Sequence, residues 1–211
     1  MIVYGSSLSP FVRKTLAYTA EKGIAVEVKQ IGLRAQDPEF REASPFGKMP
    51  GFRDGDFAIS DSTAIITYLE AKTPEPNLIP VEPRARARTI WYDEFADTVL
   101  MAAVGKIFFN RFVAPRLLGQ QGDLVAADKA ERDELPPLFD YIEKVLPESG
   151  FLVEDRLTLA DIAVASPFVN MGHVGITVNA STHPKTAAFV AKMHARPSFA
   201  QLIAAEKAFV G

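Results

Sequence analysis

The spacing of apolar positions changes several times along this chain. Ile2-Val3-Tyr4 is a short unbroken apolar run closed by Gly5 and two serines, which predicts a buried strand. From Ser9-Pro10 the period becomes helical. Serine stands at the N-cap, proline at the first helical position, Val12, Leu16 and Thr19/Ala20 share a face, and Gly23 supplies the stop. Ile24, Val26 and Val28 then alternate with Ala25, Glu27 and Lys29, the period of a half-buried strand. Asp37-Pro38 opens a short helix around Phe40. Gly51-Phe52-Arg53 and Phe57-Ala58-Ile59 flank Asp54-Gly55, a strong hairpin signal. A helix from about Asp61 to Lys72 buries Ile65, Ile66 and Leu69. The order β-α-β-α-β-β-α predicts a compact α/β unit with a four-stranded mixed sheet.

Pro74, Pro76, Pro80 and Pro83 then make a stiff connection that continues neither helix nor sheet. Beyond it every pattern is helical. Arg84 to about Phe112 reads as one long helix and Asp123 to Val145 as a second, kinked or split by Pro136-Pro137. Thr158-Leu159-Ala160-Asp161 is a helix start with an acidic residue at the third position, and Leu157 is placed to staple onto Ile162. Two more helices begin near Pro184 and Pro197. The expected fold is an α/β domain followed by an all-α domain.

Composition narrows the chemistry. A formal charge of −3 over 211 residues offers no electrostatic reason to expect nucleic acid as a partner. The absence of cysteine excludes disulfides, thiolate metal sites and cysteine nucleophiles. His173, His183 and His194 do not fall at ligand spacing with carboxylates, so no metal is expected. The N-terminal apolar run is too short for a signal sequence. Charges are expected to interrupt every apolar stretch before it reaches a membrane span, which makes the cytoplasm the expected location.

Three fragments of the first domain matter together: Ser9-Pro10-Phe11, Gly47-Lys48-Met49-Pro50-Gly51, and Asp61-Ser62. Singly they read as an N-cap, an edge proline and a helix cap. In conjunction, and with the helical second domain and its Thr-Leu-Ala-Asp start, they resemble the cytosolic glutathione transferases over the whole chain. The Ser-Pro-Phe form is closest to the tau and omega branches, with serine where omega-like members have cysteine, and theta-like bacterial members come next.

The resemblance implies a thioredoxin-like glutathione-binding domain over 1–75, a linker over 76–83 and an all-helical domain over 84–211. It implies that glutathione is held as a thiolate for attack on electrophilic organic substrates. Ser9 is the leading thiol-activating hydroxyl, with Ser7, Ser6 and Tyr4 as alternatives. Pro50 is expected to be cis, with the Met49 backbone pairing with the ligand's cysteinyl main chain. Lys48 is a candidate for the glycyl carboxylate, with Arg34 or Gln36 as further candidates. Ser62 would bind the γ-glutamyl carboxylate and Asp61 its amine. A small hydrophobic electrophile is expected between the domains, with Phe11, Trp91, Phe108, Phe109, Arg111 and Phe112 as candidate liners. Asp161 is expected to start a core helix. A two-fold homodimer and no membrane partner are implied. Related activities on the same frame are peroxidase, isomerase and ether-cleaving lyase, and the non-catalytic alternative is a stringent-starvation type regulator. Position 9 lacks the cysteine that mixed-disulfide chemistry requires.

Overall fold

The computed structural model describes residues 1–210. They divide into two compact units, residues 1–79 with 196–209, and residues 80–195.

In the first unit, β1 (Ile2–Tyr4), β2 (Glu27–Lys29), β3 (Gly51–Asp54) and β4 (Phe57–Ser60) form one sheet of order β2-β1-β3-β4. β1 and β2 are parallel, and the other pairings are antiparallel. The first two helices are α1 (Pro10–Glu21) and α2 (Pro38–Ala43), followed after the hairpin by α3 (Ser62–Lys72). The strand alternation sorts the two sheet faces. Tyr4 packs with Ile31, Phe40 and Ala43 on the α2 face. There Gly51 leaves room for Phe40, whose ring carbon would lie 3.2 Å from an added Cβ. Phe52, opposite Val3, points the other way and packs on Tyr68 of α3.

One expected element differs. The alternation over residues 24–28 predicts a strand there, but β2 starts only at Glu27. The Ile24 N–H is taken by Thr19 O at 2.9 Å, so the residues after Gly23 finish the helix instead of joining the sheet.

Glu70 of α3 fastens the proline-rich connection. Its buried carboxylate accepts from the Tyr18 hydroxyl, Lys22 Nζ (2.6 Å), the Leu78 and Ile79 N–H groups (3.1 and 3.2 Å) and Asn77 Nδ2 (3.0 Å). Two amides of a segment unable to form helix or sheet are thereby satisfied by one carboxylate, while Lys22 Nζ and Asn77 Nδ2 donate to the Pro76 and Ile79 carbonyls (both 2.8 Å).

The second unit is all-helical. It contains α4 (Pro83–Glu94), α5 (Met101–Phe108), α6 (Leu124–Lys129), α7 (Leu135–Val145), α8 (Leu159–His173) and α9 (Pro184–His194). α4 and α5 belong to one continuous helix, Pro83–Leu117, widened to π-helical turns at Phe95–Leu100 and Phe109–Leu117. The irregularity expected at Pro136-Pro137 falls just before them. A π-turn spans Ala130–Glu134, and the prolines occupy the first turn of α7, where their missing N–H groups cost nothing. α8 is buried from Leu159 to Met171 and forms the centre of the unit.

Two expectations need correction. Helix Pro83–Leu117 is long and apolar enough, by length and composition, to cross a membrane, because Lys106 and Arg111 are the only charges over residues 98–115. The last helix, α10 (Pro197–Val210), was expected with the helical domain but groups almost entirely with the first unit. The reason is charge burial. Arg13 of α1 makes a two-pronged pair with Glu206 (3.0 and 2.7 Å), both side chains being out of water. Arg196 and Ser198 clasp Glu21 at the other end of α1.

Candidate functional site

The sheet register collects the three sequence fragments at one end. Tyr4 pairs with Lys29 on one side and Gly51 on the other, and Gly51 pairs with Ser60. Residues following β1, β2 and β4, and those preceding β3, therefore emerge on the same rim. At about 4.8 Å per strand step, the end of β1 and the end of β4 are separated by roughly 10 Å, the scale of a short extended peptide.

Gly5 turns the chain out of β1. Its φ is +150°, and a Cβ there would lie 2.5 Å from Val12 Cγ2 and 3.4 Å from Met49 Cβ. The turn closes with the Ser9 N–H donating to Ser6 O at 2.9 Å. Ser9 occupies the N-cap of α1 in extended geometry (φ −73°, ψ 123°), yet its hydroxyl caps no helix N–H. The hydroxyl sits half-buried at the positive end of a helix, uncommitted to the fold. Tyr4 is different. Its ring is fully buried on the α2 face and its hydroxyl donates to Glu39 at 3.4 Å. Ser6 Oγ accepts from the Leu8 N–H at 3.4 Å.

Met49-Pro50 is a cis peptide, as the resemblance implies. The Met49 side chain packs against the Tyr4–Phe40 cluster, while its N–H and C=O make no hydrogen bond to the described residues. The buried Ser44 hydroxyl fixes the residue before it, accepting from the Lys48 N–H (2.9 Å) and donating to Lys48 O (2.7 Å). The result is a strand-like backbone edge left open at one residue.

Asp61 holds φ +81° as the N-cap of α3, a conformation a non-glycine residue adopts only under constraint. Its Oδ1 accepts from the Ala64 N–H at 3.0 Å. Ser62 is the first helical residue and is nearly buried, and Lys14 Nζ donates to the next side chain, Thr63 Oγ1, at 3.3 Å.

Charge on the rim is unbalanced. Over residues 1–79, Arg13, Lys22, Lys29, Arg53 and Lys72 pair with carboxylates. Arg34, Arg41 and Lys48 form no ion pair with the described residues. The nearby acids do not neutralise them. The Phe40 N–H and Lys29 hold the Asp37 carboxyl below its usual range, and Lys29 does the same for Glu39. Arg41, which the sequence reading did not single out, is the best positioned of the three. Its Nε donates to Ala35 O (3.1 Å), and its guanidinium lies on Gly47, where an added Cβ would meet Nη1 at 2.6 Å. Nothing in the period of a six-residue helix marks one arginine as functional. Arg34 is exposed at φ +64°, and Gln36 Nε2 turns back to Arg34 O at 3.4 Å.

The candidate co-substrate liners do not form one group. Phe108 and Phe112 are buried and stacked on one another at 5.0 Å. The Arg111 guanidinium is committed to Asp128 (2.7 Å) and Glu131 (2.5 Å). Phe109 is exposed, and Phe11, in the first unit, is half-buried. Trp91 belongs elsewhere, with Phe95 and Tyr141, because it lies 17 positions before Phe108 on the helix.

Asp161 fulfils its expected role. It is fully buried and accepts from the Leu152 N–H (2.8 Å), the Thr158 N–H (2.8 Å) and the Thr158 hydroxyl (3.1 Å). Burial outweighs these bonds and pushes its carboxyl up to about 6.

Comparison with known proteins decides the family. The family model described as "Glutathione S-transferase, N-terminal domain" matches residues 3–77, and "Glutathione S-transferase, C-terminal domain" matches residues 117–206, together well over half of the chain. This chain belongs to the glutathione S-transferase family. The first match contains Ser9, Arg41, Lys48–Pro50 and Asp61–Ser62, and the second contains Thr158–Asp161. A glutathione S-transferase of Hyoscyamus muticus is 26% identical over 208 residues, covering 96% of this chain and 97% of its own. A stringent starvation protein A homolog of Coxiella burnetii is 25% identical over 178 residues, covering 84% and 79%. Among solved structures, a glutathione S-transferase from Rhodospirillum rubrum superposes with a TM-score of 0.86 at 27% identity, covering 95% and 90%. The glutathione S-transferase fold, a small four-stranded α/β unit with an all-helical one, is the fold described above.

Proposed function

We propose that this protein is a glutathione transferase that binds glutathione along the rim and presents its sulfur as a thiolate to electrophilic organic substrates. The observation that carries the reading is the uncommitted Ser9 hydroxyl at the start of α1, on the same rim as the open Met49 backbone and the α3 N-terminus.

The thiolate is the nucleophile, and a free thiol titrates near ~8.5. Lowering that by about two units takes roughly 2.7 kcal/mol. A hydroxyl donating to a sulfur anion supplies on the order of 1.5–3 kcal/mol, and a helix N-terminus adds ~0.3–1 kcal/mol. Ser9 combines the two. The ligand's cysteinyl amide and carbonyl pair with Met49 as an added strand. From there its γ-glutamyl carboxylate meets the N–H and hydroxyl of Ser62, with Asp61 accepting from the amine. The other end runs away from β4 toward α2, where Lys48 and Arg41 supply the cations for the glycyl carboxylate. Of Phe108, Phe109 and Phe112 in the second unit, Phe109 is the exposed ring and is open to a hydrophobic electrophile. The scheme asks for no metal, and we assign the protein to the cytoplasm as a two-fold homodimer.

The test is titration of thiolate absorbance with glutathione bound, in the parent, Ser9→Ala and Ser7→Ala proteins. Ser9→Ala should raise the bound thiol's pKa by roughly one to two units and slow conjugation about ten- to hundredfold at neutral pH, with affinity little changed. A shift confined to Ser7→Ala reassigns the role, and no shift in either refutes serine activation. The similarity to a stringent starvation protein A homolog favours one rival, a regulator without transferase activity. Failure to bind glutathione at all would select it.

A further inference from the structure

The loop entering α9 holds a relay of polar contacts that the glutathione reading does not use. Thr182 Oγ1 lies 2.9 Å from His183 Nδ1, and His183 Nε2 lies 2.9 Å from Asp140 Oδ1 of α7. An ionised carboxylate only accepts hydrogen bonds, so Asp140 fixes the imidazole proton on Nε2 and leaves the lone pair of Nδ1 facing the Thr182 hydroxyl. That hydroxyl has a second acceptor in reach, the Asn179 carbonyl at 3.2 Å, and the imidazole is the nearer of the two. The frame around the relay is fixed. Asn179 binds the Ser181 N–H through its side chain (2.9 Å) and the Thr182 and His183 N–H groups through its carbonyl (3.1 and 2.8 Å). Glu143 of α7 accepts from the Lys185 and Thr186 N–H groups (3.0 and 2.8 Å) and from the Thr186 hydroxyl (2.8 Å), which locks the start of α9 to the helix carrying Asp140. The buried Phe139 ring makes a T-shaped contact with the imidazole at 5.9 Å. The His183 side chain is 15% exposed, whereas Thr182 is open to solvent. A packed base beside an accessible hydroxyl, with a carboxylate behind the base, is the order in which an alcohol is activated for attack on a carbonyl.

We propose that Thr182 is a nucleophile, with His183 as its general base and Asp140 as the positioning residue, and that the protein hydrolyses activated aryl esters at this hydroxyl without glutathione. In the first step the Thr182 oxygen bonds to the ester carbonyl carbon while its proton passes to His183 Nδ1. The bond from that carbon to the aryl oxygen then breaks, and the aryloxide leaves with the proton. In the second step water gives a proton to the same nitrogen and attacks the acyl-threonine. The bond to Thr182 breaks, its oxygen takes the proton back, and a carboxylic acid is released. Ester and water become acid and phenol, with no other reactant. The loop also sets the substrate class. The Ser181, Thr182 and His183 amides are held by Asn179, those of Lys185 and Thr186 by Glu143, and Pro184 has none. The carbonyl oxygen is therefore left to solvent in the transition state, without the aimed donors that stable esters and amides require. Only esters with good leaving groups should react, and slowly.

The probe is para-nitrophenyl acetate, given to the full chain in buffer free of glutathione so that no thiolate contributes. With protein in excess, nitrophenolate release should outrun the buffer reaction, and peptide mapping by mass spectrometry should find the acetyl group on Thr182. Thr182→Val and His183→Gln should each slow the release at least tenfold, the low end of what a nucleophile and its base supply, whereas Thr182→Ser keeps the hydroxyl and should keep the rate. The Asp140 side chain is 75% exposed, so Asp140→Asn leaves the core untouched. It should slow release severalfold, and Asp140→Glu, which retains a carboxylate, should recover most of the loss. Circular dichroism melts show whether His183→Gln acts through the fold of α9, and if it does, the two Asp140 variants decide. An acetyl group on His183 or on a lysine in place of Thr182 overturns the proposal. So does an unchanged rate in Thr182→Val, or a rate in Asp140→Asn equal to that of the parent.

Discussion

Replacing Gly5 with alanine tests whether the turn after β1 is what sets the rim. The added Cβ would lie 2.5 Å from Val12 Cγ2, where ordinary contact begins near 3.4 Å, and Val12 is fully buried and cannot swing aside. Overpacking of this kind costs about 1–3 kcal/mol. The φ of +150° adds roughly 1–3 kcal/mol for a residue with a Cβ. Gly5→Ala should therefore destabilise the protein by about 2–6 kcal/mol, read as a fall in the urea midpoint by circular dichroism. Glutathione affinity by calorimetry should fall as well, because the same turn positions Ser9 and abuts Met49. Combining Gly5→Ala with Val12→Ala removes the collision but not the backbone cost, so the pair should recover part of the affinity lost by Gly5→Ala alone. The reasoning fails if Gly5→Ala costs less than about 1 kcal/mol, or if Val12→Ala worsens glutathione binding additively.

Three other outcomes follow from named contacts. Glu206→Gln leaves Arg13 as a buried charge without its counter-ion and should cost about 3–5 kcal/mol, whereas Arg13→Met with Glu206→Leu should recover most of that loss. Equal loss in the single and paired variants would contradict this. Asp161 titrates higher in the folded protein (about 6) than its ordinary value (3.8), so the stability it contributes is complete below about pH 4 and is lost as pH rises through 6. The fall should reach roughly 3 kcal/mol, and Asp161→Asn should flatten that part of a stability–pH profile. Ser62→Ala should weaken glutathione binding by about 1–3 kcal/mol, and unchanged calorimetric affinity would displace the γ-glutamyl site.

What the sequence made legible was local. Ser9-Pro10, Asp37-Pro38, Asp54-Gly55 and Thr158…Asp161 each carry their signal within four residues, and each marks a helix start or a turn in the structure. The grouping of the three rim fragments followed from the family resemblance and is explained by the Tyr4–Gly51–Ser60 register. What stayed hidden depends on partners distant in the chain. No spacing rule couples Arg41 to Gly47 across a loop, or Glu70 to Lys22. Trp91 and Phe108 fall on one apolar pattern, yet the length of helix between them sends them to different neighbours. The helical period likewise put α10 with the other helices, because periodicity reports that a face is buried and not what buries it.

The pairing of Arg13 with Glu206, 193 residues apart, has a consequence for biosynthesis. A chain emerging from the ribosome N-terminus first exposes α1 early, but the carboxylate that neutralises Arg13 is made 193 residues later. The helical unit over 80–195 can complete its core first, and the unit that contains α1 closes only once α10 has been made. Nonsense truncation ahead of α10 should thus damage the unit that contains α1 most, because Arg13 then loses its counter-charge.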